Sequence, residues 1–238
     1  MLRIFLAYIY CFLLAYKLFY SITERVEILS LIFVPPAEGG GMEISMKKAL
    51  LLIDFVNDNV SKDGKMAGKG YPDYCEKYNV LNNAEKLLTA FRNKGNLVVH
   101  VRVGFSPDYR EQPLNSPLFG AANKFGAFKI GAFGDEFYDA LTPIENEPQY
   151  YKHRVSAFYG TPVELLLRNQ KIEELYICGV ATDLAVQAAT RDAHDRDFSV
   201  IVVEDCCGAA NEDDHKNSLI PLAKIAKIST LADVLTNI

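Results

Sequence analysis

The stretch from Gly179 to Ala185 has the composition of a turn that can bind a developing negative charge. It follows an apolar run and precedes a helix-like segment, and Gly179 allows the backbone to turn sharply between them. Backbone N–H groups at the start of a helix have no partner within it, so they can stabilise an oxyanion on a reacting carbonyl. An ordinary strand-to-helix turn, capped by Thr182 or Asp183, is the alternative.

Two residues of opposite charge, Asp54 and Lys152, stand at the ends of other apolar runs. Taken alone, Asp54 suits a helix N-cap and Lys152 suits a solvated surface charge. Placed together, the carboxylate and the ammonium would keep each other ionised. The carboxylate would then take the proton of a nucleophile such as a thiol, and the ammonium would stabilise the resulting anion.

The elements that would position these residues alternate between strand and helix. Short apolar runs predict strands at residues 48–53, 97–103, 150–152, 175–180, 199–203 and 226–230. Helical spacing of apolar residues predicts helices at residues 80–94, 161–169, 183–195, 213–227 and 231–235. Thr161 is the expected N-cap of the second helix, and Pro221 should bend or break the fourth. Residues 104–150 predict mainly loops, with a short helix near 135–141.

This alternation predicts an α/β fold with a doubly wound parallel sheet and helices on both faces, in three layers. In such sheets, ligands bind beyond the carboxyl ends of the strands. Asp54, Lys152 and the turn that follows residue 180 all fall at predicted carboxyl ends. Three segments that are distant in sequence are therefore expected to converge on one site.

Length and charge narrow the classes of function. The 238 residues suit one large domain rather than two, and half of them are hydrophobic, which is ample for a core. A net charge of −5 gives no reason to expect a nucleic-acid partner. Five cysteines without a C-x-x-C spacing argue against a disulfide framework or a structural zinc site, and they favour a cytoplasmic setting.

The N-terminus differs in composition from the rest of the chain. Residues 4–20 are almost wholly apolar, and a membrane-spanning helix needs roughly 20 such residues. Arg3 ahead of them suits a signal anchor. A Pro- and Gly-rich linker ends at residue 41, and Met42 or Met46 could start a protein of its own. We therefore predict an N-terminal extension over residues 1–41, either a membrane anchor or a segment with no role in the fold, and a separate domain over residues 42–238.

Three motifs, in order along the chain, carry a resemblance to a known family. They are LLIDFVND at residues 51–58, KHRVSAFYGT at residues 152–161, and GVATDLA at residues 179–185 with TRDA at residues 190–193. Over about residues 48–235 the chain resembles the isochorismatase-like cysteine hydrolases, which include nicotinamidases and ureidoacrylate amidohydrolases. The resemblance implies a Rossmann-like fold, usually in a homo-oligomer, and hydrolysis of a small amide or an enol ether.

The resemblance also implies roles for individual residues. Asp54 would be the general base and Lys152 its electrostatic partner. Ala181 and Ala185 would supply the N–H groups of an oxyanion hole, with a cis peptide bond between Val180 and Ala181.

Aromatic and polar residues near the motifs are expected to bind a small-molecule substrate. Residues 105–110 and 125–133 are aromatic and glycine-rich, which suits either the wall of a pocket or a subunit interface. The predicted pocket residues are Phe55, Asn57, Phe105, Phe158 and Tyr159.

Ala185 is the departure from the family that bears directly on the chemistry. It stands where the family has its attacking cysteine, either naturally or through a Cys→Ala replacement, and a methyl group cannot attack a carbonyl. Cys206 and Cys207 follow a strand at the same edge of the sheet and are the candidates for a substitute thiol. Two further hypotheses are a hydrolase in which Asp54 activates water and a binding or scaffold protein without catalysis. Val56, where many relatives have glutamine, is a second departure.

No metal or other cofactor is predicted. Nicotinamidase-type relatives bind zinc through an Asp-x-His motif and a further histidine after the first strand. Residues 54–96 contain no histidine, and the four histidines of the chain form no pair with the spacing of metal ligands.

Overall fold

Six parallel strands form one sheet in residues 46–238, the part of the chain that the computed structural model describes. The strands are β1 (Lys48–Ile53), β2 (Leu97–Val103), β3 (Gln149–Lys152), β4 (Glu174–Val180), β5 (Ser199–Gly208) and β6 (Lys227–Ser229). Their order across the sheet is β3-β2-β1-β4-β5-β6. The order reverses between β1 and β4, which is where doubly wound sheets bind their ligands.

β1 lies at the centre of the sheet, between β2 and β4. Its residues 49–53 are at most 2% exposed. A strand that is buried on both faces needs a continuous apolar run rather than an alternating one, and the sequence of β1 has such a run. Helices cover the sheet on both sides, which confirms the predicted three-layer α/β/α fold.

The described residues form eight α-helices. They are α1 (Asn57–Val60), α2 (Tyr71–Lys77), α3 (Val80–Asn93), α4 (Ala122–Phe125), α5 (Val163–Asn169), α6 (Gln187–His194), α7 (Glu212–Leu222) and α8 (Leu231–Asn237). α3 packs against the sheet and against α8, whereas α6 packs against β4, β5 and α7. The long segment between β2 and β3 consists mainly of loops, as predicted, with α4 and two short 3-10 turns.

Some boundaries differ from the prediction for local reasons. α2 was not predicted, because its seven residues are too few for a clear helical period. The helix expected from residue 183 begins instead with a π-helical turn, Thr182–Val186, which leads into α6. α5 begins at Val163 with Pro162 at the N-cap, and Thr161 donates to the carbonyl oxygen of Ala157.

β5 is longer than predicted. The apolar run predicted a strand over residues 199–203, but the strand continues to Gly208 through two buried cysteines. A shift in the register with β4 accommodates the polar residues within the strand. Asp205 Oδ1 also accepts the backbone N–H of Leu231 at 2.7 Å, so this carboxylate is used to hold the start of α8.

Two predictions lie outside the described residues, namely the extension over residues 1–41 and the membrane anchor at residues 4–20. Within residues 46–238, no helix combines the length and the apolar character that a membrane crossing requires. The domain boundary after residue 41 stays a prediction.

Asp58 holds together the loops above the carboxyl ends of the strands. Its side chain is buried, and such a carboxylate must have hydrogen-bond donors around it. Oδ1 accepts the N–H of Lys65 at 3.0 Å, and Oδ2 accepts the N–H of Phe128 at 2.5 Å. Gly134, in a third segment, packs closely against the Asp58 carboxylate. A Cβ atom added at Gly134 would lie only 2.1 Å from Oδ1.

The contact at Gly134 predicts that Gly134→Ala is destabilising. The added methyl group would displace a carboxylate that two backbone donors hold in place, so we expect a loss of about 1–3 kcal/mol in the free energy of unfolding. Gly68→Ala is the control, since a Cβ atom there meets nothing within 4 Å and should change stability by less than about 0.5 kcal/mol. Urea denaturation of both variants tests this, and equal effects would contradict the role assigned to Asp58.

Candidate active site

Asp54 follows the last residue of β1 and connects the ends of three neighbouring strands. Its backbone adopts the left-handed conformation, with φ of 58°, which aspartate tolerates better than most residues. Oδ1 accepts the N–H of Val103 at the end of β2, at 2.6 Å. Oδ2 lies 2.7 Å from Nζ of Lys152 at the end of β3. The predicted meeting of the carboxylate and the ammonium is therefore present in the structure.

The Asp54–Lys152 pair is buried, with the two side chains 5% and 1% exposed. Burial raises the pKa of Asp54 above that of an ordinary aspartate, while the Lys152 ammonium and the Val103 N–H oppose that rise. Lys152 Nζ also donates to the carbonyl oxygen of Arg154 at 3.2 Å. An ammonium has three donors, so one remains without a protein acceptor among the described residues.

The turn between β4 and α6 lies beside this pair. The peptide bond between Val180 and Ala181 is cis. The Ala181 N–H has no protein acceptor among residues 46–238. Gly179 permits the close approach of β1, because a Cβ atom there would lie 2.4 Å from the carbonyl oxygen of Ile53.

Thr182 anchors the turn from below and does not cap the following helix, contrary to one of the two sequence interpretations. Its side chain is fully buried, and Oγ1 lies 2.9 Å from the carbonyl oxygen of Gly208 and 2.9 Å from Nδ1 of His215. A hydroxyl donates only one hydrogen, which the Gly208 carbonyl must receive. His215 Nδ1 is therefore the donor to Thr182, and the turn is tied to both β5 and α7.

A cavity of about 390 Å³ opens above these groups. Asp54, Lys152, Ala181 and Ala185, which the sequence predicted to act together, all line it. Its walls are mostly apolar, and its other charged groups are two lysines. The remaining residues of the lining are Asn59, Lys65, Met66, Lys69, Tyr71, Val103, Pro117, Leu118, Phe119, Ala121, Ala122, Phe125, Ala127, Phe128, Val155, Val180 and Leu184.

None of the five residues predicted to form the substrate pocket lines this cavity. Phe55 is buried in the main core, and Asn57 donates to the carbonyl oxygen of Phe133. Phe158 packs against Phe198 in the core, whereas Tyr159 is exposed to solvent.

Phe105 supports the wall from behind. It is fully buried and contacts Phe119 with ring centroids 5.7 Å apart, and Phe119 does line the cavity. The prediction for residues 125–133 was closer, because Phe125 and Phe128 form part of the lining. His153 is not in the lining, and its Nδ1 lies 2.6 Å from the carbonyl oxygen of Gly104.

The structure contradicts the proposal that Cys206 or Cys207 replaces the thiol. Both lie inside β5 rather than after it, at most 1% exposed, and neither lines the cavity. Burial raises the pKa of Cys207 to about 12 and that of Cys206 further still, so both are protonated thiols at neutral pH. Cys75 and Cys178 are also buried, and they are absent from the lining.

The residues present do not suit a zinc ion of the nicotinamidase type. In the part of the chain that the structure describes, the lining of the cavity contains no histidine and no cysteine. Across residues 46–238, no group of His, Cys, Asp and Glu has an arrangement that could hold a metal ion. The prediction that no metal takes part in the chemistry stays a prediction.

Sequence reasoning missed Asn59, Lys65 and Lys69. Asn59 donates to the backbone oxygen of Asp54 at 3.0 Å and so supports the left-handed residue. The two lysines stand four residues apart in a polar, glycine-containing segment that looks like an ordinary surface loop. The buried side chain of Asp58, which accepts the backbone N–H of residue 65, helps to hold this segment at the cavity.

The family model described as the isochorismatase domain matches residues 48–233, which is more than half of the chain. The chain belongs to the isochorismatase family. The isochorismatase family protein YecD of Escherichia coli O157:H7 is 31% identical over 199 residues, covering 82% of this chain and 98% of YecD. Ureidoacrylate amidohydrolase RutB of Cronobacter sakazakii is 27% identical, covering 67% and 73% of the two chains. The structure of the nicotinamidase/pyrazinamidase PncA of Bacillus subtilis matches with a TM-score of 0.65 and 27% identity, covering 77% of this chain and all of that one.

The buried ion pair of this isochorismatase-family site predicts a pH-dependent effect of Lys152→Met. Without the ammonium, the Asp54 carboxylate is buried without a cation, which should cost about 3–5 kcal/mol of stability near pH 7. The pKa of Asp54 then rises further, so protonation relieves the penalty. The difference in the free energy of unfolding between variant and parent should therefore shrink as the pH falls to about 5.

Lys62→Met is the control for this experiment. Lys62 pairs with Glu76 at 2.6 Å, but both side chains are about two-thirds exposed, and such pairs contribute at most about 1 kcal/mol. Denaturation of both variants at several pH values provides the comparison. A penalty for Lys152→Met that did not depend on pH would contradict the coupling of the two groups.

Proposed function

We propose that this isochorismatase-family cavity hydrolyses a small amide or a related C–N bond, and that the attacking group is water rather than a thiol. The observation that carries the proposal is the buried Asp54–Lys152 pair, which lines the same cavity as Ala181 and Ala185. A buried pair offers little net stability compared with apolar residues. Its position in the cavity supports a role in chemistry.

The names of the relatives support an amide or ureide as substrate. Ureidoacrylate amidohydrolase and nicotinamidase are both enzymes that, by name, cleave C–N bonds. The family resemblance assigns the base to Asp54, its partner to Lys152 and the oxyanion donors to Ala181 and Ala185. All four residues line one cavity in this chain.

Water is the proposed nucleophile because no thiol from residues 46–238 lines the cavity. Ala185 presents a methyl group, and the cysteines of the described residues are buried elsewhere. The space that a larger side chain at position 185 would fill lies in the cavity with Asp54. A water molecule there would be within reach of a carboxylate that burial has made more basic than an ordinary aspartate.

The reaction then needs only groups that the chain supplies. Asp54 takes a proton from water as the water oxygen bonds to the amide carbon. The carbonyl oxygen becomes an oxyanion, which the N–H groups of Ala181 and Ala185 stabilise. The C–N bond breaks as the protonated Asp54 returns the proton to the departing nitrogen. The products are a carboxylic acid and ammonia or an amine.

Lys152 has two tasks in this scheme. Its ammonium keeps Asp54 ionised between turnovers despite the burial of the carboxylate. Its remaining N–H donor is available to an oxygen atom of the substrate. A thiol at position 185 would use the same two charged groups, so the proposal fits both a natural alanine and a replaced cysteine.

Turnover by the parent chain and by Ala185→Cys is the first test. Both are assayed for ammonia release from small amides and ureides, before and after treatment with iodoacetamide. We expect the parent to turn over and to resist alkylation, and the cysteine variant to become sensitive to it. Activity in the cysteine variant alone would show that the parent binds ligands but lacks the nucleophile that hydrolysis requires.

Asp54→Asn tests the general base. Removing a general base costs typically about 10²–10⁴-fold in rate, and we expect a loss in that range for kcat/KM. Glu174→Gln is the control, because Glu174 is a half-buried carboxylate at the start of β4 that does not line the cavity. A loss of similar size in both variants would argue against a specific role for Asp54.

The pH profile of the parent also tests Asp54 as the general base, because the direction of its pKa shift predicts where activity is lost. Asp54 must be ionised to act as a base, and its pKa is raised. The acidic limb of kcat/KM should therefore lie above the usual aspartate value of about 3.9, so that activity is lost earlier on acidification than for an ordinary aspartate. A limb at or below that value would contradict Asp54 as the base.

A homo-oligomer in the cytoplasm remains a proposal. Leu118 and Phe125 support association, because both line the cavity and are 49% and 67% exposed. Light scattering of the full chain would measure the assembly. Membrane association through residues 4–20 is the alternative for the location, and flotation with lipid vesicles would detect it.

A further inference from the structure

We infer that the substrate of this site carries a carboxylate group, which Lys65 and Lys69 bind on the solvent-facing side of the cavity. The inference rests on the proposed function for the position of the scissile amide, which would lie at the buried Asp54–Lys152 pair. It adds a second charged group to the substrate and therefore narrows its chemical class to small amides of organic acids.

The charge of the cavity is the first argument. Among the described residues, the lining contains three lysines and a single carboxylate, Asp54. Asp54 is paired with Lys152 at 2.7 Å, which leaves Lys65 and Lys69 without a carboxylate in the lining, in a chain whose net charge is −5. The buried Asp58 carboxylate lies behind the lining and accepts backbone N–H groups of residues 65 and 128. A concave surface with an excess of one sign attracts a ligand of the opposite sign.

The two lysines are also without partners in the protein. Among the described residues, neither ammonium lies within 4 Å of a carboxylate or donates a hydrogen bond. Two other surface lysines do have such partners, Lys62 with Glu76 and Lys216 with Glu212. Lys65 and Lys69 are exposed, which places them at the open side of the cavity.

The backbone that carries the lysines is held firmly enough to form a site. Asp58 accepts the N–H of Lys65 through its side chain and the N–H of Met66 through its carbonyl oxygen, at 3.0 and 2.9 Å. Lys69 ends a 3-10 turn, and the backbone N–H of Lys69 donates to the carbonyl oxygen of Met66. Gly70 then turns the chain with a positive φ of 93°, against the carbonyl oxygen of Ala210.

Apolar side chains line the cavity that contains both the buried pair and the exposed lysines. Met66, Phe119 and Phe128 line the cavity together with Leu184, and such surfaces favour a hydrocarbon or a planar ring. A substrate that matches this arrangement has an amide at one end, a short apolar or aromatic middle, and a carboxylate at the other end.

Binding of isosteric pairs tests the inference without any need for turnover. Succinamate is compared with succinamide, and 4-carbamoylbenzoate with terephthalamide, by calorimetric titration of the full chain. Each pair differs only in the replacement of a carboxylate by a neutral amide. We expect the parent to prefer the carboxylate by about tenfold or more, and the preference to fall as the NaCl concentration is raised, because salt screens exposed charges.

Variants then assign the preference to the two lysines. Lys65→Met and Lys69→Met keep the length and the apolar stem of the side chain, and the double variant should lose most of the preference while its affinity for the diamides is unchanged. Lys62→Met is the matched control, since Lys62 lies in the same loop but not in the lining, and it should keep the preference.

The outcomes separate this inference from the proposed function. A carboxylate preference that disappears in the double variant supports the inference even if no amide is hydrolysed, in which case only the hydrolase proposal fails. Equal affinity for both members of each pair, or no measurable binding of any of the four compounds, overturns it. A preference that persists in the double variant also overturns it, because another group must then bind the carboxylate.

Discussion

A single carboxylate joins the ends of three adjacent strands, and the candidate site is organised around it. Asp54 leaves β1 in a left-handed conformation, which costs roughly 1 kcal/mol for a residue other than glycine. Three hydrogen bonds offset this cost: Asp54 donates its N–H to Val101, Asn59 donates to its carbonyl oxygen, and Val103 donates to its side chain. The remaining carboxylate oxygen is thereby fixed in the position that Lys152 reaches from β3.

The parallel sheet explains why this arrangement is available. β3 and β1 are separated by β2, so Lys152 reaches Asp54 across the end of one strand. In the register of β2 and β3, Val103 lies opposite Lys152. β2, which donates the Val103 N–H to Asp54, therefore also fixes where Lys152 lies along the strand direction. Parallel pairing thus fixes the ion pair and the backbone donor together.

A second buried carboxylate, Asp58, organises the loops as Asp54 organises the strands. It binds backbone N–H groups at residues 65 and 128, and Gly134 packs against it. These segments supply both the aromatic wall and the two lysines of the cavity. The hydrogen bonds of this one side chain therefore help to fix the shape of the cavity, together with the backbone hydrogen bonds that join Phe105 to Phe128 and Ile130.

The two carboxylates also show which parts of the site a sequence can reveal. Asp54, Lys152 and the turn after residue 180 were predictable, because each ends an apolar run and parallel strands present their ends at one edge. Lys65 and Lys69 were not, because their place depends on a hydrogen bond from the backbone to Asp58, which no local pattern indicates. Phe55 and Asn57 were assigned to the pocket only because they are close to Asp54 in sequence, although their contacts lie in the core and with Phe133.

Ala185 determines which kind of nucleophile this site can use. The side chain at position 185 takes part neither in the Asp54–Lys152 ion pair nor in the hydrogen bond from Thr182 to Gly208. Among the described residues, the Ala181 N–H has no acceptor in the protein. These three features therefore do not depend on which side chain stands at position 185. A thiol contributes reactivity to such a site, but it does not hold the site together. The electrostatic part of a hydrolase can therefore persist without a thiol, provided that another nucleophile reaches the space beside Asp54. Water is small enough to do so, and the raised pKa of Asp54 makes the carboxylate a better base for it.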